Sequence, residues 1–294
     1  MESRENPVFG RKIFFLNPSL KIQNTIVNRL RQEEYEVYTI ADYRDGKPVL
    51  SENETAICFV NIDGQLTFKQ WFNYLKSFQT DFTLKGIILG VISMDAKSVD
   101  REQFILKLNL AAGFINLNES GVQIYSNIRK ILEINGAKGR RQYVRLDCYG
   151  LDYVTANCII SNRLIDFVLD DISSVGFAAH CSKGFESVLQ KGIAYNLTLH
   201  IARKDYLIKA VIYLIKENES NNTYVFMFDE STPGTVKEEI RTFVFKVLQE
   251  KMNTLLNAQI KDMYDYSIEA KISEQKNIPE EYSVFQEIGD LEEL

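Results

Sequence analysis

The chain has 294 residues, 45% hydrophobic and 25% charged, the balance of an ordinary globular protein with length for two domains. Its net charge of −6 is concentrated at one end, because seven acids between Lys271 and Leu294 outnumber Lys271 and Lys276 and leave the rest near neutral. That distribution argues against a broad basic surface for DNA, and no run approaches the ~18 apolar residues of a bilayer span, so membrane insertion is not expected.

Met1–Lys12 carries charges and a proline but no apolar core, so it does not read as a secretory leader. From Lys12 the pattern alternates strand and helix. Ile13–Leu16 is a short buried-type strand, followed by Ile22, Ile26, Val27 and Leu30 at helical spacing. Glu36–Ile40 and Ala56–Ile62 read as the next strands. Trp71, Phe72, Leu75 and Phe78 mark a helix whose aromatics belong to a core. Gly86–Ile92 is a fourth strand, and Phe104, Leu106 and Leu108–Ala112 suggest a helix. Phe114–Leu117 is a fifth strand, and Val122–Ile134 a last helix with Ile124, Ile128, Ile131 and Leu132 on its apolar stripe. Five strands alternating with helices predict a doubly wound parallel sheet over residues 1–137. Neither GxGxxG nor a P-loop follows the first strand.

Asn135-Gly136-Ala137-Lys138-Gly139 reads as a helix stop and linker. Beyond it the pattern becomes β. Val144, Leu146 and Cys148 alternate with polar residues, Leu164–Leu169 leads into Asp171, and Phe177–Cys181 follows a turn at Gly176. Ile193–Ile201 places five large apolar residues on one face, and Leu207–Ile215 and Tyr224–Phe228 complete a meander. Turns every 8–12 residues predict a small antiparallel barrel. Thr235 and Glu238 form a TxxE capping box for a helix with Ile240, Val244, Val247, Leu248 and Leu255 as its stripe. The barrel and helix are assigned to 138–258. Residues 259–294 are a helical extension, with Ile260 and Met263 as a packing surface for the first domain or a second copy, followed by an acidic tail. In that tail Tyr282, Phe285 and Leu291 are candidate anchors for a partner.

Two clusters carry chemistry. Arg140, Arg141 and Arg145 lie in a loop entering a strand, and Asp171, Ser173 and Gly176 lie at a strand-to-turn junction. Guanidinium groups grip phosphate oxygens or the O6/N7 edge of guanine, a carboxylate accepts from the N1/N2 edge, and a hydroxyl serves either. Together they describe a site for a small anionic guanine nucleotide. Cys58, Cys148, Cys158 and Cys181 form no CxxC pair and read as free thiols in a reducing cytoplasm. His180 and His200 have no companion ligand in sequence, so neither a metal site nor catalysis is indicated.

RxxxR followed by [D/N]xSxxG resembles the signature of PilZ domains, bacterial receptors for cyclic di-GMP. The resemblance covers about residues 139–256 and implies a six-stranded barrel closed by a C-terminal helix. It implies that Arg141, Arg145, Asp171, Ser173 and Gly176 hold cyclic di-GMP, with Arg140 placed for a stacked pair of ligand molecules. Val225-Phe226-Met227-Phe228 departs from it where many members carry a glycine before the phenylalanine. The first half is similar to a response-regulator receiver in architecture but not in chemistry. Asn17-Pro18 replaces the acidic pair, Asp63 is the one acceptor left near the third strand, Ser93 stands for the hydroxyl residue, and Asn116 or Leu117 replaces the lysine. The implied protein is a non-enzymatic, cytoplasmic signalling receptor: a pseudo-receiver joined to a cyclic di-GMP module. Ligand at the inter-domain loop would change domain orientation and the binding of an unidentified protein partner, with motility as the family's setting. The rivals are a response regulator driven by phosphorylation at Asp63 and an adaptor that no longer binds nucleotide.

Overall fold

The computed structural model describes residues 9–276 apart from 109 and 218–220, and the expected acidic tail lies outside the described residues. Two compact units are formed, one ending at Glu250 and one beginning at Lys251. Both sheets belong to the first.

The first sheet is parallel, with order β2-β1-β3-β4-β5, built from β1 (Ile13–Leu16), β2 (Val37–Ile40), β3 (Ile57–Asn61), β4 (Ile88–Ser93) and β5 (Phe114–Asn116). Its central strands are buried along their length, as helices on both faces require. The first helical segment runs as α1 (Leu20–Ile22), a π-turn (Gln23–Val27) and α2 (Asn28–Gln32). α4 (Phe68–Thr80) opens on a capping box between Thr67 and Gln70 and buries Trp71, whose indole N–H donates to the Gly64 carbonyl at 2.9 Å. α5 covers Ser98–Lys107, so the helix expected through Ala112 stops earlier, at Leu108. α6 (Gly121–Ile134) buries Ile124, Tyr125, Ile128 and Leu132 and leaves Ile131 at the margin. One helix was not expected. α3 (Tyr43–Ser51) contains Pro48 and is capped by Asp42, whose carboxylate accepts from the Arg44 N–H at 2.9 Å.

The second sheet closes. β7 (Val154–Ile160), β8 (Arg163–Ser173), β9 (Gly176–Cys181), β10 (Ala194–Ile201), β11 (Lys204–Lys216) and β12 (Thr223–Phe228) run in the order β8-β7-β10-β11-β12-β9, and β9 pairs back onto β8. The result is a six-stranded antiparallel barrel without a free edge. A short strand, β6 (Leu146–Asp147), extends the β7 side of β8. The barrel core includes Phe167, Phe177 and Phe226, with Phe177 stacked on Phe226 at 4.8 Å between ring centroids. In β10 Tyr195, Leu197, Leu199 and Ile201 face inward, while Ile193 lies before the strand and is exposed.

Helix α7 (Gly234–Lys276) packs Ile240, Val244 and Val247 on the barrel core, with Leu248 at its margin. Leu255, expected on the stripe, is exposed, and its neighbour Leu256 is buried instead. The capping box at Thr235 does not form. Gly234 is already helical, the Val236 and Lys237 N–H groups reach the Pro233 carbonyl, and Glu238 pairs with Arg241 instead. Within the first unit α7 also meets the parallel sheet. The Gln249 side chain accepts from the Thr39 N–H and donates to the Thr39 carbonyl, both at 2.9 Å, occupying the open edge of β2 as a strand would. The side chains of Ile260 and Met263 lie outside the described residues.

Candidate functional site

Twenty-six residues separate Arg145 from Asp171, and strand register removes the distance. β6 pairs with β8 so that Leu146 faces Ile172 and Asp147 faces Asp171. One further step of that register sets Arg145 opposite Ser173, with Asp171 its diagonal neighbour on the same face. The Arg145 guanidinium meets both Asp171 carboxylate oxygens at 3.3 and 3.4 Å.

A bulge orients the acid. In the β8–β9 ladder Leu169 faces Ala179 but Asp171 faces Ala178, so Asp170 is the extra residue. Ile165, Phe167 and Leu169 point inward before it, and Ile172 points inward after it. Without the extra residue Asp171 would enter the apolar core. With it, Asp171 and Ser173 share the outer face.

The β8–β9 hairpin turns on Ser174 and Val175, with Ser173 paired to Gly176. The buried Ser173 hydroxyl donates to the Gly176 carbonyl at 3.1 Å. Gly176 is needed for a reason other than the turn conformation expected of it. It is a strand residue outside the left-handed region, and a Cβ there would stand 2.1 Å from the Phe226 carbonyl oxygen. Close approach of β12, not a positive φ, demands the glycine.

All six predicted residues line one cavity of about 240 Å³, together with Tyr143 and Met227. Arg140 and Arg141 are exposed and make no hydrogen bond or ion pair among the described residues. Three guanidinium groups thus meet one carboxylate, which gives the cavity net positive character. The arginine loop also borders a second cavity of about 330 Å³, lined on its far side by Glu34, Glu36 and Gly10.

The linker is anchored. The Gly10 N–H donates to the Gly136 carbonyl at 2.9 Å, and a Cβ on Gly139 would stand 3.2 Å from the Gly10 Cα. Lys138 donates to the Glu33 carbonyl at 2.8 Å. Sequence reasoning missed Glu34, whose carboxylate accepts from the Val144 N–H at 3.0 Å, the Ser174 hydroxyl at 2.6 Å and Arg241 Nε at 2.8 Å. An acid just beyond a helix, in a run of glutamates, carries no signal of such partners.

The other candidate chemistry resolves differently. At the C-terminal end of the parallel sheet, Asn17 and Asn61 exchange side-chain-to-carbonyl hydrogen bonds at 2.9 and 3.0 Å, so neutral amides stand at the strand ends. The Asp63 carboxylate accepts from the Ser93 hydroxyl at 2.5 Å and from the Met94 and Asp95 N–H groups at 2.7 and 3.3 Å. It ties the β4 loop to β3, with both carboxylate oxygens engaged. His180 bonds Asp170 and His200 bonds Asp205, each at 2.8 Å. All four cysteines are free and buried. No group of metal-ligating side chains occurs among the described residues, and no helix among them is long and apolar enough to cross a membrane.

No protein-family model matches the sequence, and no curated protein matches it. Among solved structures, the PilZ domain of YcgR from Escherichia coli, with c-di-GMP, is similar at 18% identity, covering 40% of this chain and 98% of that one with a TM-score of 0.36. YcgR from Escherichia coli in complex with c-di-GMP is similar at 19% identity over 41% of this chain and 51% of the other, with a TM-score of 0.35, so this chain spans about half its length. A response regulator from Desulfuromonas acetoxidans is similar at 14% identity, covering 42% of this chain and 98% of that one with a TM-score of 0.35.

Proposed function

We propose that this protein is a non-enzymatic receptor for cyclic di-GMP, bound in the cavity between the arginine loop and the β8–β9 hairpin. The observation that carries the reading is that both motif halves, distant in sequence, line one cavity with their charged groups outward. Arg141 and Arg145 take the phosphates and the O6/N7 edge of one guanine, and Asp171 accepts from that base's N1 and N2 donors. Arg140, free at the rim, stacks on a second base. Gly176 keeps the floor of the cavity thin, and Ser173 holds the hairpin in shape. Because the loop follows the linker, ligand captured there shifts the balance of contacts between the α/β half and the barrel, and so the surface offered to a protein partner.

Calorimetric titration tests this. Cyclic di-GMP is expected to bind with a defined stoichiometry, and GMP and cyclic di-AMP are expected to bind far more weakly. Each charge-assisted contact contributes ~1.5–3 kcal/mol, so Arg141→Ala and Arg145→Ala should each weaken binding tenfold or more. Wild-type protein that takes up no cyclic di-GMP, or arginine variants of unchanged affinity, would sink the reading.

A further inference from the structure

We propose that Glu34, a residue of the α/β half, is the positioning residue of the nucleotide site, and that the α/β half senses ligand through it. This rests on the nucleotide reading above.

The backbone at Glu34 is the first observation. α2 ends with the Tyr35 N–H on the Leu30 carbonyl and the Glu34 N–H on the Arg31 carbonyl, both at 3.0 Å. That is the Schellman ending, whose left-handed residue is usually glycine. Glu34 occupies it with φ of +61°. Helix α6 ends the same way, with Ala137 bonded to Leu132 and Gly136 to Glu133, and its left-handed residue is Gly136 at φ +65°. The same turn therefore carries its ordinary residue in one place and a strained glutamate in the other. Strain held at such a position points to the side chain.

What the side chain does is the second observation. It is only 8% exposed, and its two oxygens serve three segments of the barrel half. The Val144 N–H lies inside the arginine loop, between Arg141 and Arg145. Ser174 is the turn residue directly after Ser173. Arg241 lies on α7 and is itself largely buried. One carboxylate thus fixes both halves of the binding motif to each other and to the helix, without lining the cavity that holds them. The second cavity behind the arginine loop leaves that loop space to move when Val144 is released.

Two consequences follow. Removing the carboxylate lets the arginine loop leave the hairpin, so ligand must order it on binding, and affinity falls. Conversely, ligand bridging the two segments strengthens their hold on Glu34, because coupling between a contact and a ligand is reciprocal.

The test uses the full chain, with cyclic di-GMP titrated calorimetrically into wild type, Glu34→Ala, Glu34→Gln and Arg241→Met, and amide exchange followed at Val144 without ligand. Glu34→Ala should bind about tenfold more weakly or worse, the effect of losing one to two such bonds. Glu34→Gln keeps one acceptor oxygen, which can face the Val144 N–H, while its NH2 donates to the Ser174 hydroxyl in place of accepting from it and the bond to Arg241 is lost; affinity should stay within about threefold of wild type. Arg241→Met should lower the melting temperature while affinity holds, which separates stability from positioning. The Val144 amide should exchange faster in Glu34→Ala. Wild-type binding with unchanged affinity in Glu34→Ala overturns the proposal and leaves the nucleotide reading intact. So does Glu34→Gln as weak as Glu34→Ala, or an affinity loss in Arg241→Met that tracks its loss of stability. Unchanged Val144 exchange in Glu34→Ala overturns the proposal whatever the titration shows. Absence of wild-type binding overturns the nucleotide reading and this proposal together.

Discussion

Gly176→Ala isolates the geometric reason for the motif glycine. An added methyl would stand 2.1 Å from the Phe226 carbonyl oxygen and 3.1 Å from the Met227 Cα, both backbone atoms of the neighbouring strand. No side chain can rotate aside. β9 and β12 must separate by more than an ångström at the Gly176–Met227 pair, beside the Phe228 N–H bond to the Val175 carbonyl. Overpacking of this kind costs ~1–3 kcal/mol, and with only backbone to yield the upper end applies. At ~2–4 °C per kcal/mol for a unit of this size, the melting temperature should fall by roughly 6–12 °C in calorimetry or a circular-dichroism melt. Gly121→Ala is the control, because its methyl meets nothing within 4 Å and its backbone is not left-handed. A Gly176→Ala protein melting within about 2 °C of wild type would refute the close-approach account and return the glycine to a turn role.

Three further outcomes are expected. Acetyl phosphate with Mg²⁺ should leave Asp63 unlabelled, since neutral Asn17 and Asn61 stand at the strand ends where a metal would need carboxylates and Ser93, Met94 and Asp95 engage both Asp63 oxygens. Asp63→Ala should cost ~1–3 kcal/mol in denaturant unfolding through the donors it strands. Burial pushes the Cys58 thiol up to about 12 and the Cys158 and Cys181 thiols up to about 11, from an ordinary value of 9. Iodoacetamide at pH 8 should therefore spare these three in native protein and label them after denaturation. The sign for stability follows, because the unfolded thiols ionise first: the contribution is complete below pH 9 and is lost as pH rises through 11–12. Gln249→Ala should expose the Thr39 amide to exchange, because the Gln249 side chain is its hydrogen-bond acceptor.

Legibility in the sequence tracked the size of the signal each element carries. β1, β3 and β4 are apolar runs and stand where periodicity puts them. α3 was hidden because Gly46 and Pro48 read as breakers, and tertiary packing overrides them. Val49 and Leu50 are buried, and Gly46 admits Tyr74 so closely that a Cβ would stand 2.5 Å from its hydroxyl. β7 was hidden because its inward residues after Val154 are Ala156 and Cys158, too small to mark an alternating strand. The motif residues were legible by type and order, but neither the bulge at Asp170 that turns Asp171 outward nor Glu34 was. A bulge changes the phase of a strand without changing its composition. Glu34 acts through partners 110, 140 and 207 residues away, which no local pattern encodes.

The Arg145–Asp171 pair explains how the cavity can be assembled and still be open to a ligand. At 3.3–3.4 Å, with side chains 39% and 31% exposed, it is a long, half-solvated contact. Pairs of that kind contribute ~0–1 kcal/mol, so separating them costs little. In the complex proposed above each group would gain a partner of matching shape: guanidinium a phosphate or the O6/N7 edge, carboxylate the N1/N2 edge. The pair holds two opposite charges side by side without locking them together. The tightly held contacts at Glu34 lie behind the cavity, and the Ser173–Gly176 bond holds the shape of its wall. Rigidity sits in the support and the exchangeable interaction sits at the cavity, which is the division the proposed reversible binding would need.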